Sequence, residues 1–401
     1  MKILLMTQWF DPEPTFKGLL FAKELQKKGN QVEVITGFPN YPGGRVYDGY
    51  KIKLYQKEVI DDVVVHRVPL YPSHDGSALK RIANYLSFFF ASFICGVFKA
   101  FKPDVIYSYH PPLTTALSAM LVGFFKRRPF VVDIQDLWPD TLAATGMLSN
   151  QKVLNIVGWV CKKVYRRSAR LIVLSPGFKK RLIELGVPES KISVIYNWCD
   201  EDALRNPVMS NASIPKNGNR NLLFAGNLGH AQGLPAIVDA AAILQEKNVQ
   251  VNIVFVGEGV AKQAAVEQVS KLGLNNVFFI PRVPIQEVGS LLNQADMLLV
   301  HLTSDPLFSI TIPSRTQAYM AVGKPIVMAV EGDASDIIRQ ANCGVICQPD
   351  CATSISNELE KLSELSDEDL NLLGMHAAKF YGDHMSVKAG VANILEVLEA
   401  A

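Results

Sequence analysis

The feature that most constrains this chain is a regular alternation of apolar runs with helical segments, which occurs twice along the sequence. Six such runs in the first half are predicted as strands, at residues 3–7, 31–36, 105–109, 130–134, 171–174 and 192–195. Five more follow in the second half, at residues 221–225, 250–256, 277–280, 297–300 and 325–329. Strands that alternate with helices are typical of a parallel sheet covered on both faces. The pattern predicts an α/β protein with two Rossmann-like, doubly wound domains.

The length of 401 residues agrees with two domains, since one domain commonly takes about 100–200 residues. Residues 203–219 are polar, contain several Pro and Gly, and have little aliphatic pattern, which is typical of a linker. The sequence therefore predicts a first domain over 1–202, a linker over 203–219 and a second domain over 220–382. The remaining residues, 383–401, are predicted as a helix that packs back toward the first domain.

The charges are unevenly divided between the two halves. Residues 1–200 contain 27 Lys and Arg against 16 Asp and Glu, whereas the remainder contains 13 against 22. Such an asymmetry indicates that the two halves face different partners.

Two segments of the first half suggest a membrane surface. Residues 82–98 carry no charge and include four Phe between positions 88 and 93, but 17 residues are fewer than the ~20 that a spanning helix needs. Lys80, Arg81 and Lys99 flank this segment, which would suit a helix lying in the membrane interface. A buried core helix is the alternative.

The second segment, residues 141–183, contains nine basic residues and no acidic one. Five of the basic residues fall along one predicted helix: Lys162, Lys163, Arg166, Arg167 and Arg170. Attraction to anionic lipid explains the pattern, and a solvated face or a nucleic-acid surface are the alternatives. The two segments together predict a cytoplasmic protein bound peripherally to the inner face of the membrane.

The six cysteines show no disulfide spacing, and the first residues run directly into a predicted strand rather than a signal peptide. Cys343, Cys347 and Cys351 are spaced by four, but a Gly and a Pro interrupt any helix that would align them. We therefore expect no metal site and a reducing cytoplasm.

The sequence contains glycines but no complete phosphate-binding motif. A dinucleotide fingerprint and a Walker motif are both absent, which excludes a typical nicotinamide enzyme and a P-loop NTPase. Glycines nevertheless follow predicted strands at Gly226, Gly229, Gly233 and Gly257, and Gly18 opens the first predicted helix. Backbone amides at such helix starts can bind phosphate.

A basic residue accompanies another predicted helix start, near Pro313 and Ser314. Ser314 is suited to cap the helix. Arg315, in its first turn, is placed to grip a diphosphate with two hydrogen bonds.

Several segments then carry a resemblance: "NYPGG" at 40–44, "HPPLTTAL" at 110–117, "DIQDLWPDTLAATG" at 133–146, "LSPGFKKRLIELGVPESKISVIYNWCD" at 174–200, "FAGNLGHAQGL" at 224–234 and "DPLFSITIPSRTQAYMAVGKPI" at 305–326. Over nearly its whole length the chain resembles glycosyltransferase family 4, of GT-B fold. Within that family it resembles the WbuB-like branch of N-acetyl-L-fucosamine transferases, which act in O-antigen and capsule synthesis.

The resemblance implies a retaining, metal-independent transfer from a UDP-sugar, with two domains facing each other across a cleft. The donor is expected on the second domain, and a polyprenyl-diphosphate-linked saccharide is expected as acceptor on the first. His110 matches a cleft histidine that hydrogen-bonds the donor sugar, and Gly18 matches a contact to the diphosphate. Asp136 is expected on the acceptor side. The remaining residues expected around the donor are Gly226, Asn227, Gln232, Gly257, Glu258, Arg282, Phe308, Ser309, Ile310, Thr311, Pro313, Ser314 and Gln317.

Two departures from the family pattern shift the expected roles. Asn227 and Gln232 stand where many members carry Arg and Lys on the phosphates, so Arg315, with Arg282 second, is expected to supply that charge. Ser309 and Gln317 replace both glutamates of the E-x7-E motif. Gln317 is then expected to bind the ribose, and the backbone amides of residues 308–311 the donor sugar.

Two other functions fit a two-domain nucleotide-sugar protein. A UDP-sugar 2-epimerase would need several cleft carboxylates and histidines, and the sequence offers little beyond His110. A non-catalytic nucleotide-sugar or nucleic-acid binder would use the basic segment, but no RNA-binding motif accompanies it.

Overall fold

A computed structural model describes residues 1–73, 78–144, 148 and 150–401 of the chain. These residues form two compact units. The first comprises Met1–Tyr196 together with Gly390–Ala401, and the second comprises Asn197–Ala389. The chain therefore passes from one unit to the other at two places.

The first unit is built on a sheet with the strand order β3-β4-β2-β1-β5-β6-β7-β8. Its strands are β1 (Lys2–Met6), β2 (Gln31–Gly37), β3 (Gln56–Ile60), β4 (Val63–Val68), β5 (Val105–His110), β6 (Phe130–Ile134), β7 (Arg170–Val173) and β8 (Ile192–Val194). Every pair in it is parallel except β3 with β4. The helices are α1 (Leu19–Lys27), α2 (Ala78–Phe98), α3 (Leu113–Lys126), α4 (Asp140–Ala144), α5 (Gln151–Arg167) and α6 (Pro176–Glu184).

The second unit is built on a fully parallel sheet with the order β11-β10-β9-β12-β13-β14. Its strands are β9 (Arg220–Ala225), β10 (Val251–Val256), β11 (Val277–Ile280), β12 (Met297–His301), β13 (Ile326–Ala329) and β14 (Gly344–Ile346). Its helices are α7 (Glu201–Arg205), α8 (Leu234–Glu246), α9 (Lys262–Lys271), α10 (Ile285–Gln294), α11 (Pro306–Ser309), α12 (Ser314–Val322), α13 (Asp333–Ala341), α14 (Ala352–Ser363), α15 (Asp367–His384) and α16 (Val387–Glu399), the last of which continues into the first unit.

The central strands explain why the sheets are parallel. All six residues of β5 and all six of β10 are buried, so neither strand has a face for water. Near-continuous apolar strands of this kind require helices on both faces. Parallel pairing also brings the carboxyl ends of neighbouring strands to one edge: His110 of β5 is level with Ile134 of β6, and Val256 of β10 with Ala225 of β9. Loops that follow these residues are where ligands bind in such sheets.

The predicted doubly wound α/β class is confirmed, and each of the eleven predicted strands is present within two residues of its expected ends. Three strands were missed. β3 and β4 form an edge hairpin whose turn residues, Asp61 and Asp62, adopt positive φ of 46° and 68°. β14 has three residues and lies in the segment that contains the three evenly spaced cysteines. Short edge strands carry too little pattern to stand out in a sequence.

The predicted linker, residues 203–219, belongs to the second unit. Side chains and backbone of this segment are held by α10: the Val208 amide donates to the Gln286 carbonyl (2.9 Å), and the Ser210 hydroxyl donates to Glu287 (2.8 Å). The chain crosses between the units earlier, at Tyr196 and Asn197. The polar composition predicted a linker. A segment that lies across the surface of a helix is also polar, because its side chains hydrogen-bond to that helix and to solvent.

A single carboxylate ties together the two segments beside the crossings. Glu201 Oε1, on α7, accepts hydrogen bonds from the Tyr381 hydroxyl (3.0 Å) and the Val387 amide (2.8 Å). The same hydroxyl lies 3.1 Å from Cys199 Sγ. The start of the second unit is thus joined to its end.

The outer helices of the first unit present apolar side chains to solvent. α2 is the one helix among the described residues that is long and apolar enough to cross a membrane, by length and composition alone, and 28% of its apolar window is buried. Its exposed residues recur every three or four positions: Leu79, Ile82, Leu86, Phe90, Ile94 and Phe98. We call this row the α2 stripe. The expectation of a helix over 82–98 is met, and a fully buried core helix is not what the structure has.

Removing the Glu201 carboxylate tests its role in the second unit. Hydrogen bonds to a charged acceptor contribute about 1.5–3 kcal/mol each, so Glu201→Ala is expected to lower the free energy of unfolding by about 2–4 kcal/mol. Urea denaturation followed by circular dichroism measures the change. Asp202→Ala, on the same helix with an exposed side chain, is the control and should stay within about 0.5 kcal/mol of wild type. Equal losses in both variants would contradict the role of Glu201.

Candidate active site

Two glycines bring the loops after β9 and β10 of the second unit into direct contact. Gly226 and Gly257 have φ of +139° and +147°, which other residues rarely adopt. A Cβ on Gly257 would lie 1.9 Å from the Gly226 carbonyl oxygen. The Gly226 amide in turn donates to the Val256 carbonyl (2.9 Å). Glycine is required at both positions, and the loops form one continuous floor at the carboxyl edge of the sheet.

Arg315 lies against this floor. Its guanidinium stacks on the Phe224 ring at 4.2 Å, and a Cβ on Gly226 would be 2.9 Å from its Nε. Nη1 is buried without a hydrogen-bond partner, and no ion pair involves Arg315 within the described part of the chain. Burial lowers the pKa of Arg315. The site therefore holds a positive charge that lacks a counter-charge, at a position where the sequence predicted a diphosphate contact.

His301 is a neighbour of Arg315 that the sequence reasoning missed. It ends β12, is fully buried, and lies close enough to Arg315 and Asp350 for their charges to affect it. Burial lowers the pKa of His301 to about 4, so the ring is neutral at pH 7. Its Nε2 accepts from the Asp350 amide (3.2 Å), which assigns the proton to Nδ1. The available signal was a histidine at the carboxyl end of a strand in the second series.

Three other predicted donor residues have structural or solvent-facing positions. The Gln232 Oε1 accepts from the Gly229 amide (3.0 Å) and so holds the loop after β9. Glu258 is exposed and pairs with Lys262 at 2.7 Å. Asn227 is exposed beside Gly229. The side chains of Asn227 and Glu258 are thus exposed to solvent, whereas that of Gln232 is held within the loop.

Helix α12 begins one residue earlier than predicted, and Arg282, the second basic candidate for the diphosphate, lies apart from Arg315. Pro313 occupies the cap position of α12, and Ser314 is its first helical residue. Arg282 is exposed and follows β11, which is two strands away from β9 in the sheet. No contact joins it to Arg315 among the described residues.

The turn at residues 308–311 uses most of its amides internally. The Ser309 amide donates to the Asp305 carbonyl (3.1 Å), and those of Ile310 and Thr311 donate to Phe308. The expectation that these amides bind the donor sugar is therefore wrong for Ser309, Ile310 and Thr311, because each already has an acceptor.

Gln317 does not project toward a ligand. The residue is 4% exposed, and its side-chain amide, oriented to satisfy its neighbours, donates to the carbonyls of Pro313 (2.9 Å) and Ser314 (3.1 Å). It thus folds back on the first turn of its own helix. The predicted ribose contact is not supported, because the amide is enclosed by α12.

Gly18, in the first unit, has a different role from the predicted one. It precedes α1, but the Asp11 carboxylate accepts from the Leu19 amide at 2.6 Å. A Cβ on Gly18 would lie 2.2 Å from that carboxylate. The helix start is therefore already occupied by an anion, which would repel a phosphate, and Gly18 makes room for Asp11.

His110 ends β5 and is fully buried. Both ring nitrogens lack hydrogen-bond partners, and burial lowers its pKa to about 4. The Trp138 ring meets it edge to face, with centroids 5.7 Å apart. A neutral imidazole with two unused nitrogens is available to bind a ligand hydroxyl.

Asp136 follows β6 near His110, whose carbonyl accepts from the adjacent Gln135 amide (2.8 Å). Its carboxylate is half-buried and has no hydrogen bond within the described ranges. Burial raises the pKa of Asp136. A half-buried carboxylate of this kind can accept a hydrogen bond from a ligand.

The sequence reasoning also missed a pair of buried charged residues below this edge. Asp133 on β6 is fully buried and accepts hydrogen bonds from the Tyr107 hydroxyl and the Gln135 amide. Lys17, 1% exposed, lies close enough to interact with its charge. Burial lowers the pKa of Lys17 to about 8. The group links the loop after β1 to β5 and β6.

The described residues contain no group of three or more His, Cys, Asp or Glu placed to hold a metal ion. All six cysteines are free, and Cys351 alone of the three evenly spaced ones is not buried.

Comparison with known proteins identifies both domains of the chain. Residues 19–198 match the glycosyl transferase 4-like domain, and residues 209–378 match glycosyl transferases group 1. The chain is 28% identical over 349 residues to the putative colanic acid biosynthesis glycosyl transferase WcaI of Escherichia coli K12, covering 82% of this chain and 84% of that one. It is 26% identical over 287 residues to the probable glycosyltransferase WbjE of Pseudomonas aeruginosa, covering 69% of each.

Solved structures share the fold at low identity. HepE of Anabaena, crystallised in complex with UDP and glucose, superimposes with a TM-score of 0.66 at 17% identity over the full length of both chains. Sucrose-phosphate synthase from Thermosynechococcus elongatus gives a TM-score of 0.68 at 15% identity, covering 99% and 98% of the two chains. The fold is therefore that of the GT-B proteins. With two matched domains that together span most of its length, the chain belongs to the glycosyltransferases that combine a 4-like domain with a group 1 domain.

Proposed function

We propose that this chain is a retaining glycosyltransferase that moves a sugar from a UDP-sugar to a saccharide carried on a polyprenyl diphosphate. Its product would enter a bacterial surface polysaccharide of the O-antigen or capsule type. The name of WcaI, which refers to colanic acid biosynthesis, supports a polysaccharide as the destination of the sugar. The complexes of HepE with UDP and with UDP-glucose support a UDP-sugar as the donor. N-acetyl-L-fucosamine or a related deoxyamino sugar is the proposed donor sugar, on the resemblance of the sequence to that branch.

The uncompensated charge of Arg315 carries the proposal. A buried guanidinium without a partner is unfavourable unless a ligand supplies the anion. Arginine binds phosphate oxygens with two parallel hydrogen bonds. Gly226 and Gly257 allow the Arg315 guanidinium and the loops after β9 and β10 to pack closely at the same edge. A diphosphate is the ligand that fits this charge.

The proposed reaction would create negative charge beside the Arg315 guanidinium. As the bond between the sugar C1 and the phosphate oxygen breaks, positive charge develops on the sugar ring and negative charge on the leaving diphosphate. The acceptor oxygen bonds to C1 on the face that the phosphate leaves, and its proton passes to the departing phosphate oxygen. Arg315 would stabilise that negative charge, in the way that fixed donors stabilise developing anions. A metal ion would then not be required.

His110 is proposed to orient the donor sugar. Its ring is neutral near pH 7 because burial lowers its pKa to about 4, so it can donate from one nitrogen and accept at the other. Asp136 is proposed to lie on the acceptor side.

Incubation with a panel of UDP-sugars tests the function. With a lipid-linked saccharide extract as acceptor, we expect UDP release and a product glycoside of the donor's anomeric configuration, read by NMR. Dialysis against EDTA should leave the rate unchanged. Formation of a new UDP-sugar would instead indicate an epimerase, and activity that needs added Mg²⁺ or Mn²⁺ would contradict metal independence.

Arg315 variants test the leaving-group role. Arg315→Ala should lower kcat/KM by about 100-fold or more, the usual effect of removing a transition-state donor. Arg315→Lys should recover only part of this, since lysine lacks the planar pair of donors. Arg339→Ala, which removes an exposed arginine of α13, is the control and should behave as wild type. A folded Arg315→Ala variant with wild-type turnover would refute the role.

Location at the inner face of the cytoplasmic membrane is part of the proposal. α2 packs on α3, and α3 contacts α5, so the three helices form one layer. The α2 stripe, Phe124 and Phe125 at the end of α3, and Ile156 and Trp159 on α5 are exposed apolar groups on these helices. Phe and Trp at such positions suit the acyl boundary of a bilayer.

The basic residues of α5 supply charge to the same layer. Lys162, Lys163, Arg166 and Arg167 are exposed, and Lys163 stacks on Trp159 at 4.0 Å. Arg170 differs from the prediction: it starts β7, is half-buried, and its guanidinium donates to the Ser190 and Ala400 carbonyls. The predicted basic segment also includes residues 145–147 and 149, which lie outside the described residues. Four basic side chains therefore remain for anionic lipid, at about 1 kcal/mol each.

Vesicle binding tests the membrane location. Changing Lys162, Lys163, Arg166 and Arg167 to Gln should weaken sedimentation with phosphatidylglycerol vesicles by about tenfold or more, and high salt should weaken wild-type binding similarly, because salt screens only the charge contribution. Phe90→Ser on the α2 stripe should weaken the salt-resistant remainder. Hydrolysis of the donor in solution should persist in both variants. Wild-type protein that ignores anionic vesicles at low salt would refute the location.

A further inference from the structure

An aromatic cluster at the carboxyl edge of the first sheet has no role in the donor chemistry. Trp9, directly after β1, lies against Tyr41 with ring centroids 4.7 Å apart and an angle of 33°. Both residues are half-buried, so part of each ring faces solvent. Half-exposed aromatic rings held against each other form an apolar surface of fixed shape.

A second aromatic group lies at the same edge. Tyr85 of α2 contacts Trp138 at 5.9 Å between centroids, and Trp138 meets His110 at 5.7 Å. Trp138 is buried, whereas Tyr85 is half-buried. This group therefore continues the aromatic surface from the end of β5 to the inner side of α2.

Asp136 joins the two groups. The charge of its carboxylate reaches the hydroxyls of both Tyr85 and Tyr109, and each of these two tyrosines also interacts with Tyr41. The carboxylate itself has no hydrogen bond in the part of the chain that the structure describes. Aromatic faces and an unused carboxylate are thus gathered in one place.

This chemistry selects a neutral, hydroxyl-rich ligand. A sugar ring presents C–H faces that pack on aromatic rings and hydroxyls that donate to a carboxylate. A diphosphate, by contrast, would meet the like charge of Asp136. We propose that Trp9, Tyr41, Tyr85 and Trp138 form a saccharide-binding site in the first unit, with Asp136 as the hydrogen-bond acceptor for a sugar hydroxyl.

The site also connects the saccharide to the proposed lipid. Successive positions of a helix are turned by about 100°, so residues four apart share a face. Arg81 and Tyr85 are half-buried on one face of α2 and interact electrostatically, whereas Ile82, Leu86 and Phe90 are exposed on the adjacent face. α2 therefore carries a half-buried face beside the aromatic group and, next to it, an exposed face suited to an apolar chain. This inference deepens the proposed function, on which the identity of the saccharide as the acceptor rests.

Acceptor kinetics test the site. Trp9→Ala and Tyr85→Ala should each raise the acceptor KM by about tenfold, as expected for loss of one buried aromatic contact. The donor KM should not change, because both variants leave in place Arg315 and His110, the residues assigned to the donor. Asp136→Asn should lower kcat, since an amide holds the acceptor hydroxyl less strongly than a carboxylate. Leu54→Ala, which removes a 91% exposed apolar side chain of the same unit, is the control and should leave the acceptor KM as in wild type.

A saccharide-binding assay that needs no catalysis distinguishes failure of this site from failure of the proposed function. Saturation-transfer NMR with N-acetylglucosamine, galactose and fucose as probes should detect binding to wild-type protein, and weaker binding to Trp9→Ala and to the conservative variant Tyr85→Phe. Circular dichroism establishes that each variant is folded. Binding that depends on Trp9 in a protein without transferase activity would support the site and refute the function. No saturation transfer to any probe, together with an unchanged acceptor KM in Trp9→Ala and Tyr85→Ala, would overturn the site.

Discussion

The second unit is organised around one positive charge that its own residues do not neutralise. Arg315 is held by the Phe224 ring and by the closeness of Gly226, and it has a buried nitrogen without a partner. Removing a guanidinium from water costs several kcal/mol unless an anion replaces the lost solvation. The surrounding residues add no carboxylate to the guanidinium. An anionic ligand at this position would replace the lost solvation, and a fixed donor of this kind would stabilise the leaving diphosphate of the proposed reaction.

The corresponding edge of the first unit has the opposite character. His110 is neutral because burial lowers its pKa, and Asp136 is a carboxylate whose pKa burial raises. Aromatic rings surround them. The charge of Asp136 would repel a phosphate there. The start of α1, which could attract a phosphate, is occupied by the Asp11 carboxylate. The two units thus divide the substrate chemistry by charge: anionic groups suit the second, and uncharged hydroxyl groups suit the first.

The family pattern placed the expected donor residues on the loops at the carboxyl edge, and the structure shows which of them have local partners. Arg315 is expected to contact a diphosphate, and its guanidinium lies against Gly226 without a counter-charge. Gln317 and Gly18 were expected to contact the ligand on the basis of position alone. The structure gives both a local partner, the α12 carbonyls and Asp11 respectively. Local hydrogen bonds of this kind compete with ligand binding, and a motif does not reveal them.

The sequence by itself determined the two-domain α/β architecture, since continuous apolar strands separated by helices can be buried only in a covered parallel sheet. It also determined the glycines, the basic helix start and the uncharged aromatic segment. Only the tertiary structure decided which side chains meet. His301 with Arg315, Lys17 with Asp133, and Trp9 with Tyr41 are far apart in sequence or lack a shared pattern. Their proximity follows from strand order and register, which place the ends of non-consecutive strands side by side.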